Sequence, residues 1–313
     1  MKTSTSKRLR WNVAIWLAAG LFMTSTAGMA SGPIMPDPKA EARHQPQVEE
    51  TANGIPLVNI TAPSSGGVSR NEYETFNVPD KGAILNNSYT LSKTELAGYV
   101  QGNNNMAERP AKIIVNEVTG AGSTSMDGFL EVAGNRADVV IANPNGITVN
   151  GGGFINTGKA FLTTGKPVYD GEDHLQRFDI TGGDILIEGK GLNGKEAGSL
   201  AILSRAVKIN AGIWAKDLHI TTGANTVDAK TLEASAIEGK GGRPAFALDT
   251  AAIGGMYAGR ITLVGTEKGL GVNNSGTWSA EDNLTLDWNG DLKNSGTIYS
   301  KGNTDLRASR LEN

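Results

Sequence analysis

A short internal repeat near the end of the chain limits the folds open to this sequence. The segment Asn274–Thr277 recurs as Asn294–Thr297, an offset of 20 residues. Leu292–Asn294 is echoed 19 residues later by Leu311–Asn313. A period near 20 residues lies in the solenoid range, and glycine at the corners favours a β-helix over stacked helical repeats.

The repeat predicts an all-β fold, a right-handed parallel β-helix. At ~3.3 Å per strand residue, one coil has room for three short faces and their turns. Parallel connections are strongly biased to the right hand. The 41 glycines and 6% aromatic residues suit short strands with tight turns better than a helical bundle. Leucine-rich repeats have a similar length but would place Leu at several fixed offsets, which these coils do not. Gly212–Trp214 reads as an earlier relative of Gly276–Trp278.

A tight corner is predicted in the middle of the chain, between apolar strands at 138–142 and 147–149. The residues between them are Asn143, Pro144, Asn145 and Gly146. Proline fixes φ at the second turn position, Asn tolerates the third, and Gly closes the fourth. Gly151–Gly153 permits a second abrupt change of direction before a further strand at Phe154.

Several motifs in order resemble one known family. The sequence Asn143, Pro144, Asn145, Gly146, Ile147 is accompanied by Phe76–Pro79, Asn86–Ser88, Val115–Thr119 and Arg136–Val139. Together they resemble the amino-terminal secretion domain of filamentous-haemagglutinin-like exoproteins (TpsA) of two-partner secretion. The family's second motif, Asn-Pro-Asn-Leu, aligns with Asn103, Asn104, Asn105 and Met106, so its proline and leucine are replaced.

The resemblance implies a secretion-directing domain with no catalytic residues, cofactor or metal. Its expected partners are the Sec machinery and an outer-membrane β-barrel transporter (TpsB) whose periplasmic POTRA domains pair with the chain by β-augmentation. The implied location is export through the periplasm to the surface or exterior of a Gram-negative bacterium. An adhesin is the first reading, with downstream regions contacting a host or neighbouring cell, and the alternative is a contact-dependent growth-inhibition toxin or cytolysin.

Other functions have weaker support in the sequence. A polysaccharide-acting β-helix enzyme needs carboxylates in register on neighbouring coils, but Asp287 and Asp305 are out of step with the 20-residue period. Ligand capture by the loop from Lys166 to Arg177, as in haem-scavenging relatives, rests on one histidine. A net charge of −3 gives no electrostatic case for nucleic acid. The absence of cysteine agrees with export of an unfolded chain.

Four segments are predicted along the chain. Residues 1–30 form a signal peptide, because a basic start precedes a short apolar run and small residues before Ser31. A membrane anchor is the alternative, but the apolar run is shorter than the ~20 residues that a spanning helix needs. Residues 31–52, with four prolines, are expected to be a flexible leader in which His44 is solvated. Residues 53–270 form the secretion domain, whose earliest strands the family resemblance assigns to an N-terminal β cap. Residues 271–313 begin the regular repeats, and the chain is expected to be a fragment or a truncated product.

Two features leave alternatives open. The segment Gly165–Gly182 predicts an extra-helical loop or hairpin, where Asp170, Glu172, Asp173 and His174 are either solvated charges or metal ligands. Asparagines recur near the corners and either tolerate turn geometry or stack into an internal amide ladder. They are Asn116, Asn135, Asn143, Asn145, Asn150 and Asn156.

The signal-peptide prediction is tested by mass spectrometry of the exported protein. We expect the mature chain to begin at or near Ser31, because the small residues Gly28 and Ala30 precede it. Exported protein that still carries Met1 to Ala30 would contradict the prediction.

Overall fold

The chain folds into a parallel β-helix, which confirms the predicted fold class. The computed structural model describes residues 32–106 and 109–313, so the predicted signal peptide lies outside the described residues. Each coil contributes a strand to three successive faces, and strands on one face pair in parallel with those of the next coil. Within the described ranges, no helix is long and apolar enough to cross a membrane.

The strands of the coil form three faces. The first face contains Pro56–Asn59, Ala83–Asn87, Phe129–Gly134, Gly152–Ile155, Leu192–Gly194, the start of Gly212–Thr222, the start of Gly255–Gly265, Thr277–Ala280 and Thr297–Ser300. The second contains Val68–Phe76, Ile113–Val118, Ala137–Ala142, Thr157–Thr163, Ser199–Ser204, the ends of Gly212–Thr222 and Gly255–Gly265, Leu284–Trp288 and Thr304–Arg307. The third contains Thr124–Met126, Ile147–Val149, Asp184–Ile187, Ala206–Ile209, Phe246–Thr250, Gly271–Asn274, Asp291–Asn294 and Arg310–Glu312.

The strand register confirms the repeat read from the sequence. Thr277 pairs with Thr297 at an offset of 20 residues, and Leu292 pairs with Leu311 at 19. The proposed likeness of Gly212–Trp214 to Gly276–Trp278 is wrong by one residue, because Gly212 is in register with Gly255 and hence with Thr277. Trp214 therefore faces outward on the first face, whereas Trp278 is fully buried.

The core is a continuous apolar column inside the coil. Ile213, Met256 and Trp278 follow one another in register and are all buried. Burying one such large side chain contributes roughly 1.5–3 kcal/mol. The indole Nε1 of Trp278 donates to Oγ1 of Thr250 at 3.0 Å, so even the polar atom of this column is satisfied.

The first residues of the described chain cover the N-terminal end of the coil. Ile34–Pro36 pairs antiparallel with Val68–Phe76, and Gln47–Glu50 pairs antiparallel with Pro56–Asn59. The prediction of a flexible leader at 31–52 is therefore wrong for the described part, and so is the placement of the cap after residue 53. The physical reason is that the first coil exposes unpaired backbone groups, which these edge strands satisfy. Proline is tolerated on an edge strand because its missing N–H faces away from the ladder.

His44 is part of this cap, and the prediction that its side chain is solvated is wrong. It is the last residue of a one-turn 3-10 helix, Ala42–His44, and is buried. Its Nδ1 lies 3.0 Å from Oε1 of Glu72, and the same oxygen forms an ion pair with Nη2 of Arg70 at 2.8 Å. Burial lowers the pKa of His44.

The predicted extra-helical hairpin is present. Lys166–Tyr169 and Leu175–Ile180 pair antiparallel, and Asn225–Asp228 and Ala234–Ala236 extend them into a four-stranded sheet. Two carboxylates at its tip have side-chain partners: Asp170 lies 2.9 Å from Nδ1 of His174, and Asp173 pairs with Arg43 at 2.6 Å. The tip therefore ties the hairpin to the cap.

A second excursion, Ser92–Thr94 with Gly98–Val100, is a small antiparallel hairpin. The carboxylate of Glu131 on the first face accepts from the backbone N–H groups of Glu95 and Leu96 at 2.7 and 2.9 Å. Burial raises the pKa of Glu131. One buried carboxylate thus fixes the hairpin to the coil.

The stability of the coil is expected to fall in acid partly through His219. Burial lowers the pKa of His219 from 6.5 to about 4, and its Nε2 lies 2.8 Å from Oγ1 of Thr221. Because the unfolded chain takes up the proton more readily, this stabilisation is complete above pH 6.5 and is lost as the pH falls toward 4. We expect a loss of about 2 kcal/mol between pH 7 and pH 4.5.

Urea unfolding of the native chain and of His219→Gln at both pH values measures this loss. Buried carboxyl groups such as Glu131 shift stability in the opposite direction, so the difference between the two chains isolates the histidine. Equal pH dependence in both chains would contradict the assignment.

Candidate functional site

The predicted corner at Asn143 is a hydrogen-bonded turn between the second and third faces. The backbone N–H of Gly146 donates to the carbonyl of Asn143 at 3.1 Å, and Gly146 has a φ of 111°, where a side chain would be strained. Asn143 and Ile147 are buried, whereas Pro144 and Asn145 are exposed at the tip. Turn chemistry in the sequence therefore placed this corner correctly.

The side chains of Asn143 and Asn145 bind the corner to the same corner of the preceding coil. Nδ2 of Asn143 donates to the carbonyl of Gly122 at 2.9 Å and lies 3.0 Å from Oγ1 of Thr124. Nδ2 of Asn145 donates to the carbonyl of Gly120 at 2.8 Å. Oδ1 of Asn143 accepts the backbone N–H of Asn145 at 2.9 Å, which closes an Asx turn.

The second motif has the same arrangement at another corner, between the first and second faces. The N–H of Met106 donates to the carbonyl of Asn103 at 3.1 Å, and Oδ1 of Asn103 accepts the N–H of Asn105 at 2.9 Å. Nδ2 of Asn103 and Nδ2 of Asn105 donate to the carbonyl of Ile60 at 2.8 and 3.1 Å. Asn103 and Met106 are buried and Asn104 is exposed, as at the first corner.

The comparison of the two corners shows which positions the geometry requires. Both need asparagine at the first and third positions, because each amide accepts or donates across the turn and between coils. The second position faces solvent, so Asn104 replaces proline without losing a contact. The fourth position differs between the corners, because it is Gly146 at the first and the buried Met106 at the second. Ile147, the fifth residue of the first motif, is also buried.

The backbone acceptors of these clamps were not predicted from the sequence. Carbonyl groups at Ile60, Gly120 and Gly122 have no side-chain signature, and only the coil register brings them under the asparagines. The six recurrent asparagines do not stack on one another. Where their amides bridge coils, they bond to backbone groups, as Asn156 does to the carbonyl of Val132 at 2.8 Å, or to hydroxyl groups, as Asn143 does to Thr124.

An amide ladder is present elsewhere, in the last coils. Nδ2 of Asn274 donates to Oδ1 of Asn294 at 2.7 Å, and Nδ2 of Asn294 donates to Oδ1 of Asn313 at 2.5 Å. These are the positions that the sequence repeat superimposes. The ladder hypothesis was therefore applied to the wrong asparagines, because only strict repetition places identical amides directly above one another.

The corners offer hydrogen bonding and shape but no acid, base or nucleophile. The residues predicted here are amides, a proline, a glycine and two apolar side chains, and the buried amides bond within the fold. What the folded corners present to solvent is the tip, Pro144 and Asn145 at one and Asn104 at the other.

Comparisons with known proteins agree with this geometry. The family model described as the TPS secretion domain matches residues 33–298. The chain belongs to this family. The match begins before residue 53 and ends beyond residue 270, so it includes the cap strands and the first regular repeats.

Relatives and a solved structure extend the comparison. The chain is 43% identical over 298 residues to the Yersinia pestis protein "Toxin CdiA", covering 88% of this chain and 9% of that protein. It is 44% identical over 284 residues to the Enterobacter cloacae "16S rRNA endonuclease CdiA", covering 90% of this chain and 8% of that protein. The crystal structure of the filamentous hemagglutinin secretion domain superposes with a TM-score of 0.77 at 33% identity, covering 90% of this chain and 97% of that one. This TPS secretion domain therefore spans less than a tenth of the length of these curated relatives.

The clamp geometry predicts unequal effects of asparagine substitutions. Asn143→Ala removes the hydrogen bonds of a buried amide to Gly122, to Thr124 and within its own Asx turn, which we expect to cost about 1–3 kcal/mol. Asn104→Ala, at the matching exposed tip, is the control and should change stability by less than ~0.5 kcal/mol. Chemical denaturation of both variants measures the difference, and equal stabilities would show that the clamp contributes nothing.

Proposed function

We propose that this TPS secretion domain directs export through a cognate outer-membrane transporter. The transporter is the TpsB-type β-barrel whose periplasmic POTRA domains pair with the still-extended chain by β-augmentation, after the Sec machinery has delivered it to the periplasm. The chain then folds at the cell surface of a Gram-negative bacterium. The support is the family membership together with a coil in which each rung is stabilised by its neighbour.

The asparagine motifs act in folding rather than as side chains read directly by the transporter. The observation that carries this proposal is that both corners use their first and third asparagines to bind the preceding coil. β-Augmentation depends on backbone groups more than on particular side chains. A motif that closes corners therefore serves the step after recognition.

The passenger that this domain exports is proposed to be a contact-dependent growth-inhibition toxin. The support is that the relatives named "Toxin CdiA" and "16S rRNA endonuclease CdiA" match this chain with only 8–9% of their length, so about nine-tenths of each protein lies beyond the match. An adhesin that contacts a host or neighbouring cell is the second candidate, supported by the similarity to the filamentous hemagglutinin domain.

The domain itself is proposed to be non-catalytic. Asp287 is in register with Arg307 and Asp305 with Thr285, so these carboxylates do not face each other across coils. Paired carboxylates are what glycoside hydrolysis requires. At the hairpin tip, Asp173 pairs with Arg43 of the cap and Asp170 contacts the imidazole of His174.

Pull-down of denatured variant chains on the isolated POTRA domains tests the proposal. Asn145→Ile puts a β-branched side chain into the turn. Pro144→Ala releases the fixed φ, which is expected to lower the free energy of unfolding by roughly 0.4–1 kcal/mol. We expect both variants to bind as well as the native chain, and the Asn145 variant to accumulate as protease-sensitive material after export. Loss of binding by Asn145→Ile, with its refolded circular dichroism signal intact, would show instead that the side chain is read directly. Failure of the native chain to bind would refute the transporter partnership.

A further inference from the structure

The outer surface of the first face carries a row of residues that the coil register places one above another. Phe129 is in register with Gly153, Gly153 with Asn193, and Asn193 with Trp214. The row continues through Tyr257 and Ser279 to Tyr299. Neighbouring strands are about 4.7–4.9 Å apart, so Phe129 and Trp214, three rungs apart, are separated by ~14 Å along the coil.

Glycines beneath the aromatic side chains let the rings lie against the sheet. A Cβ at Gly153 would lie 2.4 Å from Cε1 of Phe129, and one at Gly212 would lie 2.4 Å from Cη2 of Trp214. Neither Gly153 nor Gly212 has a positive φ, so a side chain is excluded at these positions by lack of space and not by the backbone conformation. The planes of Trp214 and Tyr257 are within 16° of parallel, with ring centroids 6.2 Å apart.

A cavity of about 240 Å³ lies between Phe129 and Trp214. Its lining also includes Gly151, Gly152 and Gly191, which have no side chain to fill it, and Asn193, Lys190 and Lys195. Among the described residues that line it there are two lysines and no carboxylate. At ~30 Å³ per water molecule, this volume equals about eight waters, which is enough for one pyranose ring.

We propose that the first face binds an extended acidic saccharide chain, with a sugar ring seated between Phe129 and Trp214. The apolar face of a pyranose stacks on an aromatic ring, an amide such as that of Asn193 hydrogen-bonds its hydroxyl groups, and the lysines pair with carboxylate groups of the chain. The row continues past this seat to Tyr257, which is 39% exposed, and Tyr299, which is 51% exposed. A polymer running along the coil axis would meet these rings in succession.

Saccharide fits this surface better than a peptide or a nucleic acid. A peptide would use an open strand edge, whereas here the strands are paired on both sides and only side chains face outward. Single-stranded nucleic acid binds where stacking rings lie in a strongly basic groove, and this chain has a net charge of −3 with two lysines at the seat. The site is distinct from the corner motifs and from the step of transporter recognition.

Tryptophan fluorescence of the chain from Ser31 onward, which lacks Trp11 and Trp16 of the predicted signal peptide, provides a direct readout, because Trp214 is half-buried while Trp278 and Trp288 are buried in the core. Titration with a galacturonic acid hexamer should change the emission and give a saturable affinity. Phe129→Ala and Trp214→Ala, the latter followed by calorimetry, should weaken binding by about tenfold or more, as expected for central aromatic anchors. Tyr99→Ala removes an aromatic side chain that is 69% exposed on the small hairpin and is the matched control, with unchanged affinity.

Further arms keep the outcome decisive if an aromatic variant is unstable. Lys190→Gln with Lys195→Gln retains the aromatic seat and should lose affinity for the acidic hexamer. Polyphosphate and a thymidine hexanucleotide should bind weakly, and their affinity should not depend on Trp214. The proposal is overturned if the hexamer does not bind, if Trp214→Ala and Phe129→Ala bind it as well as the native chain while remaining folded, or if polyphosphate or the oligonucleotide binds as tightly as the hexamer.

Discussion

Backbone hydrogen bonding between neighbouring coils is the constraint on which the rest of this structure depends. A strand inside one of the three faces directs its N–H and C=O groups at the coil before and the coil after it, so a single coil cannot satisfy its own backbone. A coil end therefore needs a cover. The cap strands Ile34–Pro36 and Gln47–Glu50 provide it by pairing antiparallel with the first strands of the second and first faces.

The same constraint explains the corner asparagines. At a corner the strand ladder stops, and carbonyl groups such as those of Gly120 and Gly122 have no strand partner. An asparagine amide can donate to such a carbonyl while its oxygen closes its own turn, which few other side chains can do at this length. The motif thus extends inter-coil bonding through the places where strands cannot supply it. Proline in the second position stiffens the tip, but Asn104 shows that the clamp forms without it.

The sequence predicted those parts of the fold that repeat or turn. The 20-residue offset gave the register of the last coils, and Asn-Pro-Asn-Gly gave the corner at 143–146, because both depend on local chemistry. It failed where partners are distant in sequence. The prolines of residues 31–52 suggested disorder, but the partner strands of this segment lie at residues 56–76 and decide its structure. His44 looked solvated for the same reason, since Glu72 and Arg70 come from another strand. The likeness between Gly212–Trp214 and Gly276–Trp278 misled by one residue, which in a strand exchanges the inner and outer faces.

The two ends of the domain differ in how far apart in sequence the residues in contact lie. Arg43 in the cap pairs with Asp173 at the hairpin tip across 130 residues of sequence, and Ser64 Oγ donates to the carbonyl of Asp173 at 3.4 Å. A chain that ends before residue 173 therefore lacks a bond that holds the cap to the extra-helical sheet. The coils that follow strand Gly255–Gly265 have partners only about 19–25 residues away, as in the pairs Asp249–Asn273, Thr277–Thr297 and Leu292–Leu311. Contacts so close in sequence have a low loop-closure cost, so each later coil can form on the one before it as soon as its residues are available. The cap, the clamped corners and the hairpin thus stabilise the first coils, whose loop-closure entropy cost is high. The regular repeats then extend these coils with a small loop-closure cost for each coil.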